Sequence, residues 1–139
     1  MGKKLHLLAV PIAAVAMAAL TSLPAQAADG YDRCQPGNYC MFSGLDGTGD
    51  IIQITADTPD LAALGMANRA NSDWNRTSSL VHLYSGANYT GCTAVTRAGS
   101  KGNFFATYRE FFESVRIGGP NGPSCGTPPG EDSPTVSTR

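Results

Sequence analysis

An eight-residue pattern written twice constrains this chain more than any other feature. Phe42-Ser43-Gly44-Leu45-Asp46-Gly47-Thr48-Gly49 returns 42 residues later as Tyr84-Ser85-Gly86-Ala87-Asn88-Tyr89-Thr90-Gly91. Each copy puts an aromatic residue at the end of an apolar run and keeps a Ser-Gly and a Thr-Gly pair at one internal spacing. That predicts a folded hairpin with a glycine corner: glycine tolerates positive φ, and the ring can lie across the turn and shield it. Each corner leads into a second strand, residues 50–54 or 92–96, and later a serine-led strand, residues 79–81 or 114–116, with Ser79 and Ser114 as the hydroxyls that close the hairpins. Two four-strand units follow.

The rest of the chain agrees with an all-β reading. Short apolar runs at residues 39–42, 51–54, 80–84, 92–96 and 115–117 are divided by glycine-rich turns, the pattern of strands in a small sandwich. Residues 60–67 differ: Asp60 can cap, Leu61 and Leu64 share a face, and the alanines favour one or two helical turns. Phe104, Phe105, Tyr108, Phe111 and Phe112 form the densest aromatic cluster, most of which is expected to bury against the sheets, with Trp74 a core or core-edge anchor.

Residues 1–27 read as a secretory signal peptide: a basic head at Lys3-Lys4, an apolar stretch, and the small-residue pattern Ala25-Gln26-Ala27 before a cleavage point at Ala28. Residues 28–33 form an N-terminal segment, 34–125 the domain, and 126–139 a disordered tail with little to bury. Cleavage removes two of the ten basic residues and leaves eight against eleven acidic ones, a formal charge of −3 that argues against nucleic acid and anionic lipid as partners. The mature protein is expected outside the cell, monomeric and off the membrane.

Four cysteines, Cys34, Cys40, Cys92 and Cys125, in a small exported domain are read as two disulfides. Three pairings are open. The turn Gln35-Pro36-Gly37-Asn38 favours Cys34 with Cys40, leaving Cys92 for Cys125.

Little supports catalysis. His82 is the only imidazole after cleavage, is expected on a solvent-facing strand and has no nucleophile motif around it. Asp46 and Asp50 flank a glycine turn, where aspartate serves backbone hydrogen bonds, and Glu110 and Glu113 make no better acid–base pair. No enzyme activity and no cofactor are expected.

Tyr84, Tyr89 and Gly91 match the spacing of the βγ-crystallin Greek key, aromatic-x4-aromatic-x-Gly; Phe42, Gly47 and Gly49 match it except that the second aromatic is lost. With the signal peptide, the opening Cys34-Gln35-Pro36-Gly37-Asn38-Tyr39-Cys40-Met41-Phe42 and the four cysteines, the chain resembles the actinobacterial exported inhibitors of metallopeptidases, peptidase inhibitor family I36, over about residues 34 to 117. The resemblance implies a βγ-crystallin-like Greek-key sandwich and a secreted, thermolysin-like metallopeptidase as partner. It also implies an inhibitory loop, for which Gly91-Cys92-Thr93-Ala94-Val95, held by a crosslinked cysteine, is the candidate. Many βγ-crystallin units bind calcium through oxygen-rich stretches, which gives a second reading: a calcium site at Asn75, Ser78 and Ser79, although Trp74 stands where a ligand is needed, and Arg109 and Glu113 spoil the other stretch. An antimicrobial or killer-toxin-like module acting at cell surfaces is the remaining alternative.

Overall fold

Tyr39–Phe42 (β1) and Ile51–Ile54 (β2) are rich in β-branched and aromatic residues and pair antiparallel, Tyr39 opposite Ile54 and Phe42 opposite Ile51. This is a computed structural model, and it describes residues 30–126. The signal peptide expected at 1–27 and all but the first residue of the tail expected at 126–139 lie outside the described residues. The further strands are Ser72–Asn75 (β3), Val81–Gly86 (β4), Thr90–Thr96 (β5), Lys101–Asn103 (β6) and Ser114–Ile117 (β7). They form two antiparallel sheets, in the orders β2-β1-β3-β6 and β5-β4-β7.

The two units are interlocked. β6, from the second unit, completes the first sheet beside β3, and an isolated bridge from Thr58, in the first unit, extends the second sheet beside Val115. Between the sheets lie Tyr39, Met41, Leu61, Leu83, Phe104, Phe112 and Val115, all buried. Phe104 and Phe112 meet edge to face at 5.5 Å between ring centroids. A polar tie crosses this core: the Tyr39 hydroxyl and the Thr96 hydroxyl both donate to Asp73 Oδ2, at 2.9 and 2.7 Å.

The corners repeat in detail. Asp46 and Asn88 both take positive φ, 54° and 55°, as do Gly49 and Gly91, 75° and 78°. Thr48 Oγ1 donates to the Leu45 carbonyl at 2.6 Å, and Thr90 Oγ1 to the Ala87 carbonyl at 2.7 Å. Ser43 Oγ accepts from the Asp50 amide and Ser85 Oγ from the Cys92 amide.

The closing serines correct one expectation. Ser114 fills its expected place, accepting from the Tyr89 amide at 3.0 Å and donating to the Gly86 carbonyl at 2.6 Å. Its counterpart is Ser72, not Ser79: Ser72 Oγ accepts from the Gly47 amide at 3.0 Å and donates to the Gly44 carbonyl at 2.7 Å. The serine-led strand of the first unit is therefore β3, whose polar sequence Ser72-Asp73-Trp74-Asn75 hides it from a search for apolar runs.

Helical structure among the described residues is confined to five single 3-10 turns, where one or two were expected. Two of them, Leu45–Gly47 and Ala87–Tyr89, are the corners themselves. At residues 60–67 Asp60 does cap, accepting from the Ala62 amide, but Leu61–Leu64 is one 3-10 turn that ends at Gly65 in the left-handed region. Leu61 is buried while Leu64 stays 48% exposed, so the two do not share a face.

Candidate binding surface

The outer faces of both sheets are covered by the segments at either end of the described residues, and each cover is pinned by a disulfide. Cys34–Cys40 fastens the entering chain to β1, and Cys92–Cys125 fastens residues 118–126 to β5. A two-layer sandwich would leave both faces to solvent; here Phe42 is fully buried on one and His82 is 1% exposed on the other.

On the first face, Tyr31 comes from the 3-10 turn Gly30–Arg33 and packs edge to face on Phe42 and on Trp74, at 5.5 and 6.3 Å. Burial pushes the Tyr31 phenol above its ordinary value of 10.0, with the charges of Asp73 and Asp46 adding to the rise. Trp74 is half-buried, with Arg76 4.4 Å and Lys101 4.7 Å from its ring. Cations of the chain itself thus occupy the indole.

On the second face, residues 118–126 form a strap. Gly118 N–H donates to the Leu80 carbonyl as the strap leaves β7. Asn121 Oδ1 lies 2.9 Å from His82 Nε2. Next to it, Thr93 N–H donates to the Pro123 carbonyl at 2.7 Å, and Cys125 N–H donates back to the Thr93 carbonyl at 3.1 Å, a parallel bridge on the free edge of β5. The Tyr108 hydroxyl reaches from the core to donate to the Gly126 carbonyl at 2.7 Å. Pro120, Asn121, Pro123 and Ser124 are exposed.

Gly91-Cys92-Thr93-Ala94-Val95, expected as a loop, lies within β5, an edge strand of the second sheet. Thr93 and Ala94 are buried, Gly91 is exposed, and Cys92 and Val95 are half-buried. The exposed loop with both ends held is the strap. One hint of it lies in the cysteines, since a Cys92–Cys125 bridge must bring the residues before Cys125 against β5. His82, expected to face solvent, is the residue the strap buries.

The other candidate residues have local partners. Asn75 is buried: its Oδ1 accepts from the Thr77 amide and hydroxyl, and its Nδ2 donates to the carbonyls of Ser79 and Thr96. Ser78 is exposed beside it. Asp46 and Asn103 bond each other, Asp50 pairs with Arg69 at 2.8 Å, and Glu113 accepts from Asn68 and from the Ala87 amide. No group of three or more His, Cys, Asp or Glu side chains suited to a metal occurs among the described residues, and no helix among them is long and apolar enough to cross a membrane.

Solved structures share this architecture. A chain from work on the evolution of the eye-lens βγ-crystallin domain fold matches 60% of this chain and 86% of its own length, at 13% identity and a TM-score of 0.56. A βγ-crystallin from Ciona intestinalis matches 59% of this chain over 100% of its own, at 15% identity and a TM-score of 0.54. A βγ-crystallin domain from Flavobacterium johnsoniae matches 64% of this chain over 97% of its own, at 19% identity and a TM-score of 0.52. No curated protein matches the chain.

The interlocked Greek keys and their glycine corners therefore define a disulfide-stapled, βγ-crystallin-like domain. Residues 27–96 match the profile of one sequence family, and the chain belongs to it: peptidase inhibitor family I36.

Proposed function

We propose that the protein is exported and, as a monomer, inhibits thermolysin-like metallopeptidases by binding without turnover, through the surface that β5 and the strap form together. The carrying observation is the Cys92–Cys125 bridge, which fixes an exposed, proline-flanked strap to an edge strand. A segment already held in one conformation gives up little entropy on binding. A stable complex covers roughly 800 Å² on each partner, more than a five-residue strand presents, and the strap enlarges that area along the same edge.

Resistance to cleavage follows from the same arrangement. A peptidase draws an extended peptide into its cleft, but β5 is paired with β4 along one edge and with the strap at Thr93 on the other. Pro120 and Pro123 stiffen the strap. A cut in the strap would leave its ends tethered by β7 and Cys125, so the bond can reform.

The test is a titration of the mature protein against a thermolysin-like enzyme, with serine and cysteine peptidases as controls. A stoichiometric fall in metallopeptidase activity alone is expected. Full activity of every enzyme at micromolar protein would refute the reading, and growth inhibition or a rise in thermal stability with millimolar calcium would then point to the surface-acting or calcium-binding alternatives.

A further inference from the structure

Asn121 is followed by Gly122, the one Asn-Gly pair in the chain, and the fold requires both members. A Cβ at Gly122 would collide with Thr93 Oγ1 and lie 3.6 Å from Tyr84 Cε1, so only glycine lets the strap lie flat on the sheet. Asn121 supplies the contact that holds the strap to His82.

We propose that Asn121-Gly122 is a self-modifying unit in which the Gly122 amide nitrogen attacks the Asn121 side-chain carbonyl while His82 stabilises the oxygen. The nucleophile is accessible: Gly122 N–H makes no hydrogen bond among the described residues, and no side chain on Gly122 obstructs its approach. The electrophile is polarised. An amide oxygen only accepts, so His82 Nε2 carries the ring proton and donates it to Asn121 Oδ1 at 2.9 Å. Among the described residues His82 Nδ1 is buried without a partner and Asn121 is the ring's sole hydrogen-bonding contact. A fixed donor aimed at an oxygen that gains negative charge is the arrangement of an oxyanion hole.

The bonds balance without an oxidant or reductant. Gly122 N loses its proton to solvent base and bonds to Asn121 Cγ, giving a tetrahedral centre whose oxygen faces His82 Nε2. The Cγ–Nδ2 bond then breaks, the nitrogen leaves as ammonia with a proton from water, and a five-membered succinimide remains. Solvent water opens the ring at either carbonyl. One opening gives aspartate at position 121, whose carboxylate keeps the His82 contact as a charge-assisted bond. The other gives an isoaspartyl link, which routes the main chain through the side-chain carbons. That extra length falls where Gly122 abuts Thr93, beside the Thr93-to-Pro123 hydrogen bond, so the strap lifts while the Cys92–Cys125 bridge still tethers it.

The experiment follows the mature protein, disulfides intact, at neutral pH and 37 °C beside a synthetic peptide of residues 118–126 with its cysteine blocked. Mass spectrometry of digests reads the one-dalton gain at Asn121, and chromatography separates the two products. The folded protein should convert about tenfold faster than the peptide, and His82→Leu should bring it down to the peptide's rate. Conversion at or below the peptide's rate would mean that the hydrogen bond locks the side chain, and the proposal fails. That comparison needs only the unaltered chain, so it stands even where His82→Leu does not fold.

Discussion

The Tyr31 ring stands 5.5 Å from the Phe42 ring, edge to face, as Tyr89 stands 5.7 Å from Tyr84 in the second unit. Gly47 occupies the position that corresponds to Tyr89, and a Cβ there would lie 2.8 Å from the Gly30 carbonyl carbon and 2.9 Å from Tyr31 Cγ. The aromatic missing from the first corner is thus supplied from 16 residues upstream, and the glycine makes room for it. Arg33 binds the same corner, donating to the Gly47 and Gly49 carbonyls at 2.6 and 2.8 Å.

If Tyr31 completes the corner, a double-mutant cycle between Tyr31→Ala and Phe42→Leu should show coupling of about 1 kcal/mol in urea unfolding. Tyr31→Phe should be close to neutral. Additive effects would show that the two rings are merely neighbours.

Ser72→Ala should cost about 2 kcal/mol, because the Gly47 amide and Gly44 carbonyl lose their partner in a buried site. Ser79→Ala should change stability by less than about 0.5 kcal/mol, since only main-chain atoms of Ser79 are engaged. Equal losses in thermal unfolding would return the closing role to Ser79.

The two bridges should differ in weight. Replacing Cys92 and Cys125 together by alanine should cost about 4 kcal/mol, against about 2 for Cys34 and Cys40, because the first closes the longer loop. Denaturant midpoints of the paired variants measure this. Where the Cys92/Cys125 variant remains folded, inhibition of the target peptidase should weaken with it.

Stability should fall on the alkaline side. Burial, with the Asp73 carboxylate beside it, holds the Tyr39 phenol well above its ordinary value of 10.0. The unfolded chain releases that proton near 10.0 and the folded protein retains it, so the contribution is whole below pH 10 and declines above it, by about 1.4 kcal/mol per pH unit for one group. Tyr31 acts in the same sense. Tyr39→Phe should flatten this decline while lowering stability at neutral pH, where Asp73 loses a donor. An unchanged alkaline slope in the variant would remove Tyr39 as its source.

The corners were legible because their chemistry is local: the positive-φ residues, the Thr48 and Thr90 hydroxyls and the Ser43 and Ser85 hydroxyls all act within seven residues of their partners. β1 and β2 carry their apolar character in sequence and were read with their observed ends. β3 and β6 were not, since Ser72, Asp73 and Asn75 are polar residues buried by partners on other strands and corners, and Lys101-Gly102-Asn103 has no apolar residue to betray it. The candidate binding surface is half legible. Residues 91–95 stand out by their crosslinked cysteine, whereas the glycine, proline and asparagine of the strap bury almost no apolar area of their own and leave no pattern to read.

Spacing along the chain sets the repeated unit, its two glycine corners and four cysteines suited to crosslinking, and the Greek key enters through the family resemblance those features carry. Long-range packing sets which serine closes the first corner, where its lost aromatic comes from, and the seat of the residues before Cys125 over His82 and along β5. Those relations depend on groups far apart in sequence being brought within hydrogen-bonding distance, and no local pattern encodes such a meeting.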